Sequence, residues 1–227
     1  MGRDGAGCWL LENRPRILKR ELPSGPRHPA VLGDRRSRSP QPHLSSVVGP
    51  MFESLSQRTV IIGNSGAGKS ALAESLAASI HVPVIDLDLL NWEGNGYGRK
   101  RDEDAARRMT LEVSTQPLWI IEGVYGWLAE VALPRATALI WLDFPWSLCR
   151  AGLLARSPRR GATDQDTVEL LKWAETYWNR QTPSSFAGHS RMFANFPSTK
   201  FRLETREQAT ILLADLRACM IALKGDE

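Results

Sequence analysis

Residues 59–77 place a short apolar run directly before a glycine-rich loop and a helical pattern directly after it. The run at 59–62 is rich in β-branched residues, which predicts a buried strand. After Lys69, apolar residues recur at helical spacing, which predicts a helix that begins at this lysine. A strand, a tight turn and a helix in this order form half of a βαβ unit, so the segment favours the α/β fold class.

The loop itself has the spacing Gly63-x-x-x-x-Gly68-Lys69-Ser70. This spacing fits the phosphate-binding P-loop pattern, in which backbone N–H groups surround a polyphosphate, the lysine pairs with its outer oxygens and the serine binds Mg²⁺. The N-terminus of the predicted helix adds partial positive charge at the same place. The sequence therefore predicts an anion site built from the strand, the loop and the helix together.

Beyond this helix, strand and helix patterns alternate, which indicates a parallel sheet covered on both faces. Further strands are predicted at 82–90, 117–123, 136–144 and 200–204, and helices near 102–115, 146–156, 164–181 and 207–222. Ligands of such sheets bind beyond the carboxyl ends of the strands. The acidic residues at these strand ends are therefore candidate site residues: Asp86, Asp88, Glu122 and Asp143.

Charge is distributed unevenly along the 227 residues. Residues 1–50 carry nine Arg/Lys against four Asp/Glu, a net +5, and the remaining residues carry 20 against 21, a net −1. Because the first segment is rich in Pro, Arg and Ser, we expect residues 1–50 to be a disordered basic arm and residues 51–227 to form one domain. The alternatives for the arm are a tether for nucleic acid, a transit sequence, a plain solvated tail, or translation that begins at Met51.

Composition excludes several other classes. No run approaches the roughly 18 apolar residues of a membrane span, so no membrane partner is expected. The three cysteines, Cys8, Cys149 and Cys219, contain no CxxC pair, which argues against a metal cluster or a disulfide framework. The expected compartment is the reducing cytoplasm.

Four segments in order, GNSGAGKS, IDLDLLNW, WIIEGVY and LIWLDFP, resemble the P-loop small-molecule kinases, a group that includes adenylate, shikimate and gluconate kinases. Within this group the chain resembles small adenylate-kinase-like proteins often labelled DNA topology modulation proteins. The resemblance spans most of residues 58–223. It implies a three-layer P-loop NTPase fold with a five-stranded parallel sheet of order 2-3-1-4-5, helices on both faces and a short lid at about 156–163.

The same resemblance implies an Mg-ATP-dependent kinase that transfers the γ-phosphoryl group of ATP to a small acceptor. Lys69 would neutralise the outer phosphates, Ser70 would bind Mg²⁺, and Glu122 would orient the water shell of the metal. Asp143 ranks second for the metal, and its alternative role is to cap the helix at 146–156. The nucleotide-binding residues implied are Gly63, Asn64, Ser65, Gly66, Ala67, Gly68, Lys69, Ser70, Ala71, Thr205 and Arg206.

Acceptor-side roles rest on two further segments. Asp86-x-Asp88 resembles the Asp-x-Asp of shikimate kinase, which implies that Asp86 supports the metal and Asp88 holds an acceptor hydroxyl. Strand alternation predicts that both side chains share one face, and the alternative for Asp88 is a turn cap. Arg156 and Arg160 match the kinase lid and are predicted to be catalytic; the alternative is a solvated basic loop.

The acceptor itself is not named by these motifs. Adenylate kinases follow the third-strand Asp-Gly with an arginine that grips AMP, whereas this chain continues from Glu122 as EGVYG, so AMP is not implied. Trp92 and Tyr97 would stack on a ring or cover the sheet edge. Five other tryptophans are expected to be packing residues: Trp119, Trp127, Trp141, Trp173 and Trp178. A monomer or a homodimer is expected. Two alternatives to the kinase are an ATPase that contacts nucleic acid through the basic arm and a nucleotide-binding regulator with little turnover.

Overall fold

A parallel sheet lies at the centre of the protein, whose computed structural model describes residues 50, 52–94, 98–156 and 163–225. Across these ranges the sheet has five strands in the order β2-β3-β1-β4-β5, and every neighbouring pair is parallel. The predicted α/β fold with strand order 2-3-1-4-5 is confirmed. The strands are β1 (Arg58–Gly63), β2 (Val84–Asp86), β3 (Trp119–Gly123), β4 (Ala138–Leu142) and β5 (Thr199–Leu203).

Helices connect successive strands and cover the sheet. Those in the described ranges are α1 (Lys69–Ile80), α2 (Leu87–Asn91), α3 (Glu103–Ser114), α4 (Gly126–Ala132), α5 (Trp146–Leu154), α6 (Asp164–Glu175), α7 (Phe186–Asn195) and α8 (Arg206–Gly225). Short 3₁₀ turns follow α4 and α6, at Leu133–Arg135 and Thr176–Trp178. None of the helices in the described part of the chain combines the length and apolarity needed to cross a membrane.

Two hydrophobic cores form because side chains of each strand alternate between the faces of the sheet. Ile61 and Ile120 belong to one core, whereas Val60, Ile62 and Ile121 belong to the other. All five side chains are fully buried. Burial of each contributes about 1.5–3 kcal/mol, and burial on both faces explains why the central strands are continuous apolar runs rather than alternating ones.

The second strand is shorter than the sequence predicts. It was expected at 82–90 but ends at Asp86, where the carboxylate accepts a 2.8 Å hydrogen bond from the backbone N–H of Asp88 and so caps α2. An aspartate at the N-cap satisfies a helix N–H that would otherwise lack a partner, and this favours a helix over continued strand. The prediction that Asp86 and Asp88 share one strand face is therefore wrong.

The helix predicted at 164–181 also differs, since α6 ends at Glu175 and a 3₁₀ turn follows. Besides α2, the described helices α4 and α7 were not predicted. The start of α7 carries a recognisable signal, because the hydroxyl of Ser185 accepts a hydrogen bond from the N–H of Gly188 at 3.3 Å. The predicted arm at 1–50, apart from Pro50, and lid residues 157–162 lie outside the described residues.

Candidate active site

The P-loop runs from the carboxyl end of β1 to the first turn of α1 and packs directly on α5. Gly66 has a φ of 81°, in the left-handed region that glycine tolerates. A Cβ on Gly66 would collide with the carbonyl oxygen of Cys149, and one on Gly152 would collide with the carbonyl oxygen of Gly66. The loop is thus held against α5 by a backbone contact that any larger residue would disrupt.

Asn64 ties the same loop to α6. Its Nδ2 donates a 2.9 Å hydrogen bond to the carbonyl oxygen of Ala174, and its Oδ1 accepts one of 2.8 Å from the N–H of Ser65. Lys69 lies inside the loop at 9% exposure, where its Nζ donates to the carbonyl oxygen of Asn64 at 3.1 Å. A largely buried ammonium inside a curve of backbone amides has the charge and the donors that fit a polyphosphate.

Ser70 and Glu122 meet because β3 lies beside β1 in the sheet. The Oγ of Ser70 donates a 2.7 Å hydrogen bond to Oε1 of Glu122. Burial raises the pKa of Glu122, and the nearby charges of Asp86 and Asp88 raise it further, whereas Lys69 and the Ser70 hydrogen bond lower it. Hydroxyl and carboxylate oxygens are the ligands that Mg²⁺ prefers, so this pair fits the metal.

The two acidic candidates for the metal, Glu122 and Asp143, have different partners. Asp143, at the end of β4, forms an ion pair with Arg202 of β5, with 2.9 Å between Nε and Oδ2. The alternative role for Asp143, capping α5, is wrong because Pro145 occupies the N-cap. In the described ranges no three His, Cys, Asp or Glu side chains cluster as a metal centre, so a metal here would need oxygens from a ligand or from water.

Two cavities open at this edge of the sheet. The first, which we call the P-loop cavity, has a volume of about 450 Å³ and is lined by residues that include Gly68, Lys69, Ser70 and Arg206. The second, which we call the Asp88 cavity, has a volume of about 600 Å³. Arg156, two residues after the end of α5, lines both cavities. Of the predicted catalytic residues, Lys69 lines the P-loop cavity, Asp88 lines the Asp88 cavity and Arg156 lines both.

The other predicted residues divide into three groups. Arg206 lines the P-loop cavity, whereas the hydroxyl of Thr205 accepts a 3.2 Å hydrogen bond from the N–H of Gln208 at the start of α8. Asp86 pairs in register with Glu122 across β2 and β3. Arg160 and Tyr97 lie outside the described residues. The roles of all of these residues stay predictions.

Three residues in the Asp88 cavity were not assigned to the site by sequence. Trp173 was expected to be a packing residue, yet it lines this cavity, and the Arg180 guanidinium lies 3.9 Å from the centre of its ring. Tyr125 accepts a 2.8 Å hydrogen bond from Nε1 of Trp92, and both side chains line the cavity. Asn91 lines it as well, at 1% exposure. Asn91 and Tyr125 had a local signal, since they lie in the IDLDLLNW and WIIEGVY segments, whereas Trp173 had none.

No family model and no curated protein matches this chain. Among solved structures, a gluconokinase from Sinorhizobium meliloti 1021 is 16% identical with a TM-score of 0.46, covering 76% of this chain and 95% of that one. A shikimate kinase from Bacteroides thetaiotaomicron is 18% identical with a TM-score of 0.45, covering 74% and 99%. A shikimate kinase from Acinetobacter baumannii in complex with shikimate is 15% identical with a TM-score of 0.40, covering 77% and 99%.

Proposed function

We propose that this protein is an ATP-dependent kinase that transfers the γ-phosphoryl group to a hydroxyl of a small acceptor. The observation that carries the proposal is the position of Arg156, which lines both the P-loop cavity and the Asp88 cavity. During transfer, the phosphoryl group lies between the nucleotide and the acceptor and carries negative charge. A positively charged side chain is therefore needed at that position. A hydrolase or a simple nucleotide-binding protein needs only the first of the two cavities.

Each residue has one task in this proposal. Lys69 and the loop amides bind the triphosphate, with Ser70 and Glu122 holding Mg²⁺. Bound Mg²⁺ would neutralise charge on the phosphate oxygens. Asp88 accepts the proton of the acceptor hydroxyl as the bond between that oxygen and the γ-phosphorus forms and the bond to the oxygen of the leaving ADP breaks.

Arg156 supplies charge rather than proton transfer. Its guanidinium is always protonated and presents several donors to phosphoryl oxygens, which carry extra negative charge during transfer. In our proposal Arg160, in the segment predicted to form the lid, acts with it. Transfer instead of hydrolysis requires that water be excluded from the same place, which is the usual task of a lid.

The test is ADP release from ATP and Mg²⁺ over a panel of hydroxyl compounds and nucleoside monophosphates. Lys69→Ala should reduce turnover by about 10²-fold or more, the size typical of a lost group that stabilises transition-state charge. Lys172→Ala is the matched control, because Lys172 is exposed on α6 and lines neither cavity. Circular dichroism checks that both variants fold. Undiminished turnover in the folded Lys69→Ala variant would refute the proposal.

A further inference from the structure

A residue that lines the Asp88 cavity has a buried side-chain oxygen with no hydrogen-bond partner within the described part of the chain. This oxygen is Oδ1 of Asn91, the last residue of α2, and Asn91 is 1% exposed. The carbonyl oxygen of Asn91, in contrast, accepts a 2.8 Å hydrogen bond from the N–H of Arg101. Buried polar atoms in native proteins are nearly always hydrogen-bonded, so an unpaired acceptor in a cavity wall requires an explanation. One explanation is a bound ligand whose hydrogen-bond donor pairs with this oxygen.

Asp88 and Asn91, three residues apart on α2, both line the same cavity, and both carry a side-chain oxygen. Residues at this spacing lie on the same side of a helix. A carboxylate and an amide oxygen are hydrogen-bond acceptors, so they select a compound that carries O–H or N–H groups. Neither atom can donate a hydrogen bond to a phosphate or a carboxylate.

The rest of the wall is largely apolar and aromatic. Trp92, Tyr125 and Trp173 supply rings, and leucines of α5 and α6 also line the cavity. Leu154 is 52% exposed although it is large and apolar. Aromatic side chains that line a cavity bind a flat or apolar body well, because they bury much area at low cost in side-chain entropy.

Charge in the cavity opposes an anionic compound. The described lining residues include four carboxylates, those of Asp88, Asp164, Asp166 and Glu169, against the two cations Lys100 and Arg156. Lys100 is engaged by Glu103, with 2.7 Å between Nζ and Oε1. A phosphate or carboxylate group on a bound compound would lose its water and face an excess of negative charge. Both effects disfavour the binding of an anionic compound.

We propose that the acceptor is a neutral or positively charged alcohol with an aromatic or apolar body, which donates one hydrogen bond to Asn91 and its reacting hydroxyl to Asp88. The inference rests on the proposed kinase function and names its acceptor class. The acceptor oxygen forms a bond to the γ-phosphorus of ATP, the bond from that phosphorus to ADP breaks, and the hydroxyl proton passes to Asp88. Nucleoside monophosphates and hydroxy acids are excluded as acceptors.

Matched pairs of compounds test the acceptor class. Phenylalaninol is compared with phenyllactate, and adenosine with AMP, by calorimetric binding in the presence of ADP and Mg²⁺ and by ³¹P NMR of the product formed from ATP. We expect the uncharged or cationic member of at least one pair to bind at least tenfold more tightly than its anionic partner and to become phosphorylated. The inference would be overturned if the anions bound as tightly as their partners or more tightly. It would also be overturned if neither phenylalaninol nor adenosine bound.

Asn91→Leu tests the specific contact with the tightest-binding alcohol. The substitution removes an unpaired buried oxygen and keeps a side chain of similar size, so we expect the melting temperature to be preserved. The dissociation constant of the alcohol should rise roughly ten- to hundredfold, the effect of one buried hydrogen bond. Asn195→Leu is the control, because Asn195 is exposed at the end of α7 and lines neither cavity.

The outcomes separate the two proposals. If wild-type protein binds no ATP in a direct calorimetric titration, the kinase function itself fails. If ATP binds and is consumed but the acceptors that react are anions, only the acceptor class is wrong. An unchanged dissociation constant for the alcohol in a folded Asn91→Leu variant would also refute the assignment of Asn91.

Discussion

Asn64 in the P-loop donates a hydrogen bond to the carbonyl oxygen of Ala174 in α6, 110 residues further along the chain, at 2.9 Å. Gly66 of the same loop packs on α5 through Gly152. These two helices precede and follow the segment predicted to form the lid. The P-loop therefore contacts both of the helices that flank the segment predicted to form the lid.

Replacement of Asn64 should reveal this connection. Asn64→Ala removes the partner of the Ala174 carbonyl and of the Ser65 N–H, and we expect a loss of about 1–3 kcal/mol in the free energy of unfolding, with weaker ATP binding. Urea denaturation and calorimetric titration measure the two effects. Asn179→Ala, at an exposed asparagine beside the 3₁₀ turn that follows α6, is the control. Full stability of Asn64→Ala would contradict the importance of the contact.

Gly152→Ala separates packing from helix propensity. On propensity alone, alanine in place of glycine would stabilise α5 by about 0.5–1 kcal/mol. Because a Cβ at this position would collide with the carbonyl oxygen of Gly66, we expect the opposite sign, together with ATP binding at least about tenfold weaker as the loop is displaced. Gly98→Ala, where a Cβ meets only open space, should have little effect. A stabilised Gly152→Ala variant with normal ATP affinity would show that the loop adapts freely.

Glu122→Gln tests the proposed metal site. The amide oxygen still accepts the hydrogen bond from Ser70, so the fold should be preserved, but the negative charge that attracts Mg²⁺ is lost. We expect the Mg²⁺ concentration for half-maximal ADP release to rise by about tenfold or more. Glu112→Gln, at an exposed position on α3, should leave it unchanged. The metal role of Glu122 would be untenable if both variants required the same Mg²⁺ concentration as the wild type.

His189 makes stability depend on pH. Its Nδ1 accepts a 2.7 Å hydrogen bond from the hydroxyl of Tyr177, its Nε2 donates to the carbonyl oxygen of Val124 at 3.2 Å, and burial lowers its pKa to about 3. The pKa of His189 is lower in the folded protein than in the unfolded chain, where a histidine has its ordinary pKa of about 6.5. Below pH 6.5 the unfolded chain therefore binds more protons than the folded protein. Stability contributed by neutral His189 is complete above that pH and is lost as pH falls toward 3.

The expected loss is about 2 kcal/mol between pH 7 and pH 5. Urea denaturation at several pH values measures it. His189→Gln does not titrate and should lack this component, although it is less stable throughout. His81→Asn is the control, since His81 is exposed and adopts a left-handed conformation that asparagine tolerates. A flat wild-type profile over this range would contradict the buried neutral imidazole.

The second strand shows how sequence reasoning misjudged one local boundary. Apolar and polar residues alternate in the run at 82–90, which favours a strand, but Asp86 caps a helix there instead. Strand periodicity and N-capping make opposite predictions for the same residues, and the hydrogen bond from the Asp88 N–H to the Asp86 carboxylate shows that the cap prevails. The tryptophans show a second limit, because Trp119 is fully buried as expected whereas Trp173 lines a cavity.

The phosphate loop and the alternation of strands and helices were determined by the sequence alone, because each depends on residues within one or two turns of one another. The meeting of Asp88, Asn91, Arg156 and Trp173 around one cavity was decided only by the tertiary structure. Parallel strand order brings together segments up to 85 positions apart, and local periodicity carries no information about such distances. The unpaired oxygen of Asn91 exists for the same reason, since a side chain lacks a partner only in relation to everything packed around it.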